Sequence, residues 1–224
     1  MLPGEPNMGT ASPQPHRRPG FDAAPAQALS GLGPHGPVIY AWERAGAGAK
    51  ERLVRRLLAG LPGLDAGGAS GPDRRTVILE ETTLGQPLMK LGGQPGPAVS
   101  FSRTPGCLWA ALTLSGQVGV DAALTAEFEE CYPFPRAFRP GEWDWARTWC
   151  RGDSSRAAAL LWALKEAAVK ALGVGFHFLD PLEVEAFSPR PWQGGWRVSV
   201  KAGRLLPAWA RPVGGGWLAI ARHY

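Results

Sequence analysis

Lys165, Glu166 and Lys170 are set into WALKEAAVKALG (162–173), a stretch whose alanines and leucines would form a helix without them. At 100° per residue, Trp162, Glu166 and Lys170 make an i, i+4, i+8 stripe. They lie opposite a face of Leu160, Leu161, Leu164, Ala168, Ala171 and Leu172, with Lys165 at the edge between the two. A solvated Glu-Lys pair on an ordinary surface helix, contributing roughly 0.3–0.5 kcal/mol, would account for the stripe by itself. The VGVDAAL run at 118–124 gives it a second meaning, because Asp121 ends an apolar strand, where a buried carboxylate needs a cation or a set of hydrogen bonds. A strand-end Asp and a helical Glu could share a divalent metal. Oxygen-only ligation suits Mg²⁺, which binds through one or two carboxylates plus substrate phosphates, and the lysines would then face those phosphates.

The elements that must position these residues follow from periodicity. Residues 1–36, rich in Pro, Gly, Ala and Ser, show neither a helical nor a strand period and are expected to form a flexible leader. PVIYAWER (37–44) reads as a strand, and the next segment places Leu53, Leu57, Leu58 and Leu61 at helical spacing. LDAGGASGPDRR (64–75) reads as a loop, TVILEE (76–81) as a strand, and LGQPLMKLGGQPGP (84–97) as turns. AVSFSRTPGCLWAALTLSG (98–116) reads as two strands about Thr104-Pro105-Gly106. From Val118 a similar order returns: a strand, a Pro- and Trp-rich connection, the long helix, and strands in PLEVEAF, WRVSVKAG and WLAIARHY. Asp153 or Ser154 would cap the helix, and Gly173 with Gly175 would stop it. The pattern predicts an α+β fold in which two similar subdomains, 37–117 and 118–224, each pack a small sheet on one long helix, related by duplication.

Composition narrows the function classes. The 224 residues are 45% hydrophobic and 19% charged, enough for one substantial core or two small ones. The net charge of +5 comes from scattered arginines, which suits an anionic small molecule or an acidic protein. With no basic stripe among exposed aromatics, no nucleic-acid partner is expected. Cys107, Cys131 and Cys150 lack metal or disulfide spacing and read as reduced thiols. MLPGEPNMGTASPQPHRRPG lacks a signal-peptide core and no run approaches 18 apolar residues. The expectation is a cytoplasmic protein with no membrane association.

VGVD at 118–121 and W-x-x-K-E-A-x-x-K-x-x-G at 162–173 resemble, in type and separation, the two signature motifs of the Sfp-type 4′-phosphopantetheinyl transferases. LGQP (84–87) is similar to that family's Gly-Lys-Pro element and VSFSRT (99–104) to its Ser-x-Ser-His segment. Phe138 and Glu142 in FRPGEW resemble its Phe-x-x-x-Glu, so the likeness spans residues 38 to 185. The resemblance implies transfer of the phosphopantetheine arm of coenzyme A to a serine of an acyl or peptidyl carrier protein, with release of 3′,5′-ADP. It also implies a pseudo-two-fold pair of subdomains with coenzyme A in the cleft between them, a cleft that a monomer can build alone. Asp121 and Glu166 would hold Mg²⁺, Glu166 could also act as the base, and Lys170 would neutralise the leaving phosphate. Lys165 would contact phosphate too, Ser102 and Arg103 would lie near the 3′-phosphate, and Gln86, with Arg55 or Arg56, would add contacts to the nucleotide. Three departures from the family pattern stand out: Gln86 for its lysine, Arg103 for its histidine, and Ala123 where Gly-x-Asp-x-Glu has its second acid. They motivate an alternative, a divergent relative that binds coenzyme A or a carrier protein with little or no transfer.

Overall fold

The computed structural model describes residues 25–61, 76–129 and 132–224. In chain order the strands and helices begin with β1 (Gln27–Leu29), β2 (Val38–Arg44), α1 (Ala49–Ala59), β3 (Val77–Glu81), β4 (Pro87–Leu91), β5 (Gln94–Pro95), β6 (Ala98–Thr104), β7 (Cys107–Thr113) and β8 (Gln117–Leu124). They continue with α2 (Phe134–Ala137), α3 (Pro140–Trp149), α4 (Ser154–Ala171), β9 (Val184–Ala186), β10 (Arg190–Trp192), β11 (Gly195–Ala202), β12 (Arg204–Val213) and β13 (Gly216–His223). A four-stranded sheet runs β1-β2-β7-β6, and a larger one runs β10-β11-β12-β13-β8 with β9 beside β11. β3, β4 and β5 form a small third sheet.

Strand alternation sorts the side chains into three apolar cores in series. Ile39, Ala41, Leu108, Ala110 and Leu112 from one face of the first sheet close on Leu53, Val54 and Leu57 of α1. From its other face, Tyr40, Trp109 and Ala111 meet Val120, Ala122, Trp209, Leu218 and Ile220 of the second sheet. The far face of the second sheet, with Val198, Val200, Ala208, Ala210, Ala219 and Ala221, packs on α4. Each long helix therefore covers one sheet, and the two sheets share a core.

α4 has 18 residues and begins at Asp153, whose side chain accepts from the Arg156 N–H. It ends at Gly173, which takes φ +73° where most residues would be strained. Its buried surface is mostly alanine because it lies very close to β8. A Cβ added at Gly119 would sit 1.9 Å from the Ala167 carbonyl oxygen and 2.5 Å from the Ala171 nitrogen.

Four elements differ from the sequence reading. Gln27–Leu29 pairs with β2, and the buried Arg222 guanidinium donates to the carbonyls of His35 (2.6 Å) and Gly36 (2.6 Å), so residues 27–36 are not a leader. Residues 1–24, the loop at 64–75 and Cys131 lie outside the described residues. The Trp-rich connection contains α3, signalled by Pro140 at its first position and by Glu142, which accepts from the Arg139 N–H at 2.8 Å. The turn-rich segment holds β4. β12 was hidden by Pro207 and Pro212, residues that an interior strand normally excludes. Pro207 pairs with Ser199 but lies beyond the register with β13, whereas Pro212 pairs with Trp217 but lies beyond the register with β11, so each proline sits where β12 has a neighbour on one side alone.

Gly119→Ala is expected to lower stability by about 1–3 kcal/mol or more, because backbone must move to admit the methyl group. Gly141→Ala, with nothing within 4 Å of the new carbon, serves as the control. Parallel thermal melts check the pair, and equal melting temperatures would contradict the close approach of β8 and α4.

Candidate functional site

Asp121 projects from β8 on the same side as Gly119 and Ala123, toward α4, and is 6% exposed. Two groups satisfy it there. The Ser102 hydroxyl donates to Oδ1 at 2.8 Å, and the Lys170 ammonium lies 2.6 Å from the same oxygen. Lys170 also reaches the Val120 carbonyl at 3.4 Å and stands 3.8 Å from Glu166 Oε2. One ammonium thus joins the two carboxylates expected at a metal. Burial pushes the Glu166 carboxyl above the usual carboxylate range; Lys170 opposes that rise and Asp121 adds to it. Trp162, Glu166 and Lys170 are the partly exposed positions along this part of α4, as the stripe predicts.

Glu166 and Lys170 open into a cleft of about 310 Å³. Its wall runs from Lys50 on α1 through Glu81, Gln86, Ser100 and Phe101 to Gly173 beyond α4. Gln86 lines the cleft, and its amide donates to the Gln117 side chain at 3.3 Å. Gly173 leaves room for it, since an added Cβ would lie 2.9 Å from Gln86 Oε1.

Other expected residues are placed differently. Lys165 is wholly buried and turned away from the cleft, where it pairs with Glu142 and donates to the carbonyls of Ala137 (2.8 Å) and Pro181 (2.8 Å). Three acceptors use all three ammonium donors, so Lys165 is no phosphate ligand in this structure. Burial pulls its pKa below the lysine range, and the Glu142 carboxylate opposes this. Phe138 is buried beneath this ammonium, with the ring centroid 5.5 Å from Nζ, and the second oxygen of Glu142 accepts from the Ala186 N–H at 2.8 Å. The Phe-x-x-x-Glu element is thus a structural knot joining α3, α4 and β9.

Ser102 is also buried, and its proton goes to Asp121 while its oxygen accepts from the Ala122 N–H at 3.0 Å. It positions Asp121 and does not line the cleft. Arg103 is exposed on β6, two residues beyond Phe101 on the same face and outside the cleft lining. Arg55 and Arg56 do not line the cleft either, and Arg56 is held by Glu43 at 2.8 Å and the Trp42 carbonyl at 3.0 Å. α1 supplies Lys50 instead, bonded to Glu81 at 2.9 Å and lying 5.4 Å from the Phe101 ring centroid. Sequence reasoning missed Lys50 because a lysine in a first helical turn carries no signal of its own.

Residues 117–210 match the family model of the 4′-phosphopantetheinyl transferase superfamily. That segment carries Asp121, Glu166 and Lys170, whereas Lys50, Gln86, Ser102 and Arg103 precede it. No curated protein matches the chain. Among the described residues, no helix is long and apolar enough to cross a membrane. Nor do three or more His, Cys, Asp or Glu side chains among them gather into a group that could hold a metal. Ala123 explains part of that, since it is 1% exposed and packs in the core with Phe128 and Trp217.

Two expectations follow. Lys165→Met leaves the Glu142 charge buried without its partner and should cost about 3–5 kcal/mol, part of it regained in Lys165→Met/Glu142→Leu, which removes the charge but leaves the Arg139 and Ala186 N–H groups without their acceptor. Denaturant titrations of the two variants check this, and a double variant no more stable than the single one would contradict it. Ala123→Glu would push a carboxylate into a filled core, so it is expected to melt lower than the parent without gaining metal affinity. Melting curves with and without Mg²⁺ decide between this outcome and a restored ligand.

Proposed function

We propose that the chain transfers the 4′-phosphopantetheine arm of coenzyme A to a serine of an acyl or peptidyl carrier protein and releases 3′,5′-ADP. The observation that carries this reading is that Asp121 and Glu166 meet on the Lys170 ammonium, with Glu166 and Lys170 lining the cleft, within the segment that matches the transferase superfamily. The two sheet-and-helix units around that cleft suit a duplicated origin, and one chain is enough to build it.

The donor set fits a hard divalent cation. Two carboxylates converge on one ammonium, itself a stand-in for a cation, and Mg²⁺ ordinarily takes one or two protein carboxylates and completes its shell with water and phosphate. Asp121 and Glu166 would hold it, and when bound it would supply electrophilic activation of the pyrophosphate. Ser102 keeps Asp121 oriented by donating its proton. Glu166, with its pKa raised by burial, takes the proton of the carrier serine as that oxygen bonds to the pantetheine phosphorus. The bond from this phosphorus to the oxygen bridging to 3′,5′-ADP breaks, and Lys170 neutralises the negative charge left on the departing phosphate. Lys50 and Gln86, which also line the cleft, would hold the nucleotide phosphates.

A second reading, a relative that binds coenzyme A or a carrier protein with little transfer, is favoured by one observation: the second acid is replaced by the buried Ala123, which leaves two carboxylates for the metal. Intact-protein mass spectrometry of a carrier domain incubated with the chain, coenzyme A and Mg²⁺ separates the two readings. The proposed activity adds the mass of the phosphopantetheine arm to the carrier. Glu166→Gln should slow this by about 10²-fold or more while barely changing the melting temperature, and Lys170→Ala should slow it as much but also melt lower, because buried Asp121 then keeps only the Ser102 hydroxyl. An unmodified carrier alongside measurable coenzyme A binding would support the second reading.

A further inference from the structure

Both lysines that line the cleft are already bonded to carboxylates. Lys50 is on Glu81 at 2.9 Å, and Lys170 is on Asp121 at 2.6 Å with Glu166 at 3.8 Å. A polyanion entering this cleft therefore meets two neutralised ammonium groups and the further carboxylate of Glu166. A metal meets the opposite obstacle, because the oxygens that would ligate it already face an ammonium, and two cations cannot share those oxygens without strong repulsion. The two obstacles have one solution. Lys170 stands in the last turn of α4, partly exposed and lining the cleft, and its side chain has four rotatable carbons with which to turn from Asp121 toward a bound phosphate.

We propose that Lys170 is an exchangeable cation: it holds the Asp121–Glu166 pair before ligands arrive, and a divalent metal takes its place only as a phosphate group receives the ammonium. The proposal rests on the transferase reading for the identity of the phosphate ligand. It adds that metal and phosphate bind interdependently, each removing the other's obstacle, and by linkage the enhancement is equal in both directions. Lys170 thus couples the binding of metal and phosphate as well as meeting the leaving group. A lysine suits the exchange better than an arginine would, because its point charge and single contact atom leave a carboxylate more readily than a two-pronged guanidinium does.

The test needs neither a carrier nor turnover. Mn²⁺ alone is titrated into the full chain without any nucleotide, and bound metal is read by electron paramagnetic resonance. The parent should bind weakly. Lys170→Met and Lys170→Gln should each bind about tenfold more tightly, the fold-change that corresponds to roughly one charge-assisted hydrogen bond. Lys170→Arg, which keeps a cation on the carboxylates, should stay weak, and adding Asp121→Asn to Lys170→Met should abolish the gain. In a second titration, Mn²⁺ should tighten coenzyme A binding to the parent more than to Lys170→Met. Equal or weaker Mn²⁺ binding by both neutral variants, each shown to be folded by its melting curve, overturns the exchange, as does equal tightening of coenzyme A. Because no carrier is present, a chain that behaves as described but modifies no carrier would sink the proposed activity and leave the exchange standing.

Discussion

The approach of α4 to β8 at Gly119 is the constraint on which the site depends. Side chains normally hold the backbones of packed layers apart, but here the absence of one Cβ lets helix backbone rest on strand backbone. Two residues along β8 from that contact stands Asp121, and one residue before and three after Ala167 on α4 stand Glu166 and Lys170. The three side chains of the candidate site are thus close neighbours of a packing contact, and their spacing is set by backbone. The alanines of α4 serve the same end, since larger residues at Ala167 or Ala171 would lift the helix and separate the carboxylates.

Two lysines five residues apart on one helix have opposite tasks. Lys165 is enclosed by acceptors from three other segments, at Ala137, Glu142 and Pro181, and this buried polar network is fully satisfied. Lys170 is partly exposed and borders a cleft. The helical stripe was legible in the sequence because a period of four is a local property, and Trp162, Glu166 and Lys170 carry it. The inward turn of Lys165 was not, because its partners come from α2, α3 and the segment before β9, which no window around the helix contains.

The same distinction explains what else could be read. Strands β2, β6, β7, β8 and β13 announce themselves by β-branched and aromatic runs, and α1 and α4 by their leucines. β12 could not be read, because two prolines look like breakers until the staggered registers of its neighbours are known. In the site, Asp121 was visible as an acid in an apolar strand, although it lies inside β8 (Gln117–Leu124) and does not end it as expected. The committed hydroxyl of Ser102, the position of Lys50 and the outward placement of Arg103, Arg55 and Arg56 were not, since each depends on how the first sheet meets the second. The matched family segment begins at residue 117, so it leaves that same region undescribed.

Where β6 meets β8, the edges of the two sheets are fastened by alcohols. Ser100 accepts from the Val120 N–H at 3.1 Å and Ser102 from the Ala122 N–H at 3.0 Å, in place of a carbonyl ladder. Mechanically, such a seam is a row of pins. It resists sliding along the strand, since each hydroxyl is matched to its own amide, yet it resists rotation weakly, because a hydroxyl pivots about its Cβ–O bond where a peptide plane cannot. The shared apolar core behind it acts as a bearing. A small rocking of one sheet against the other about the seam would leave Ser102 and Asp121 near the axis and move Lys50, which stands on α1 away from it. The carboxylates would stay near the still point while the Lys50 wall of the cleft travelled.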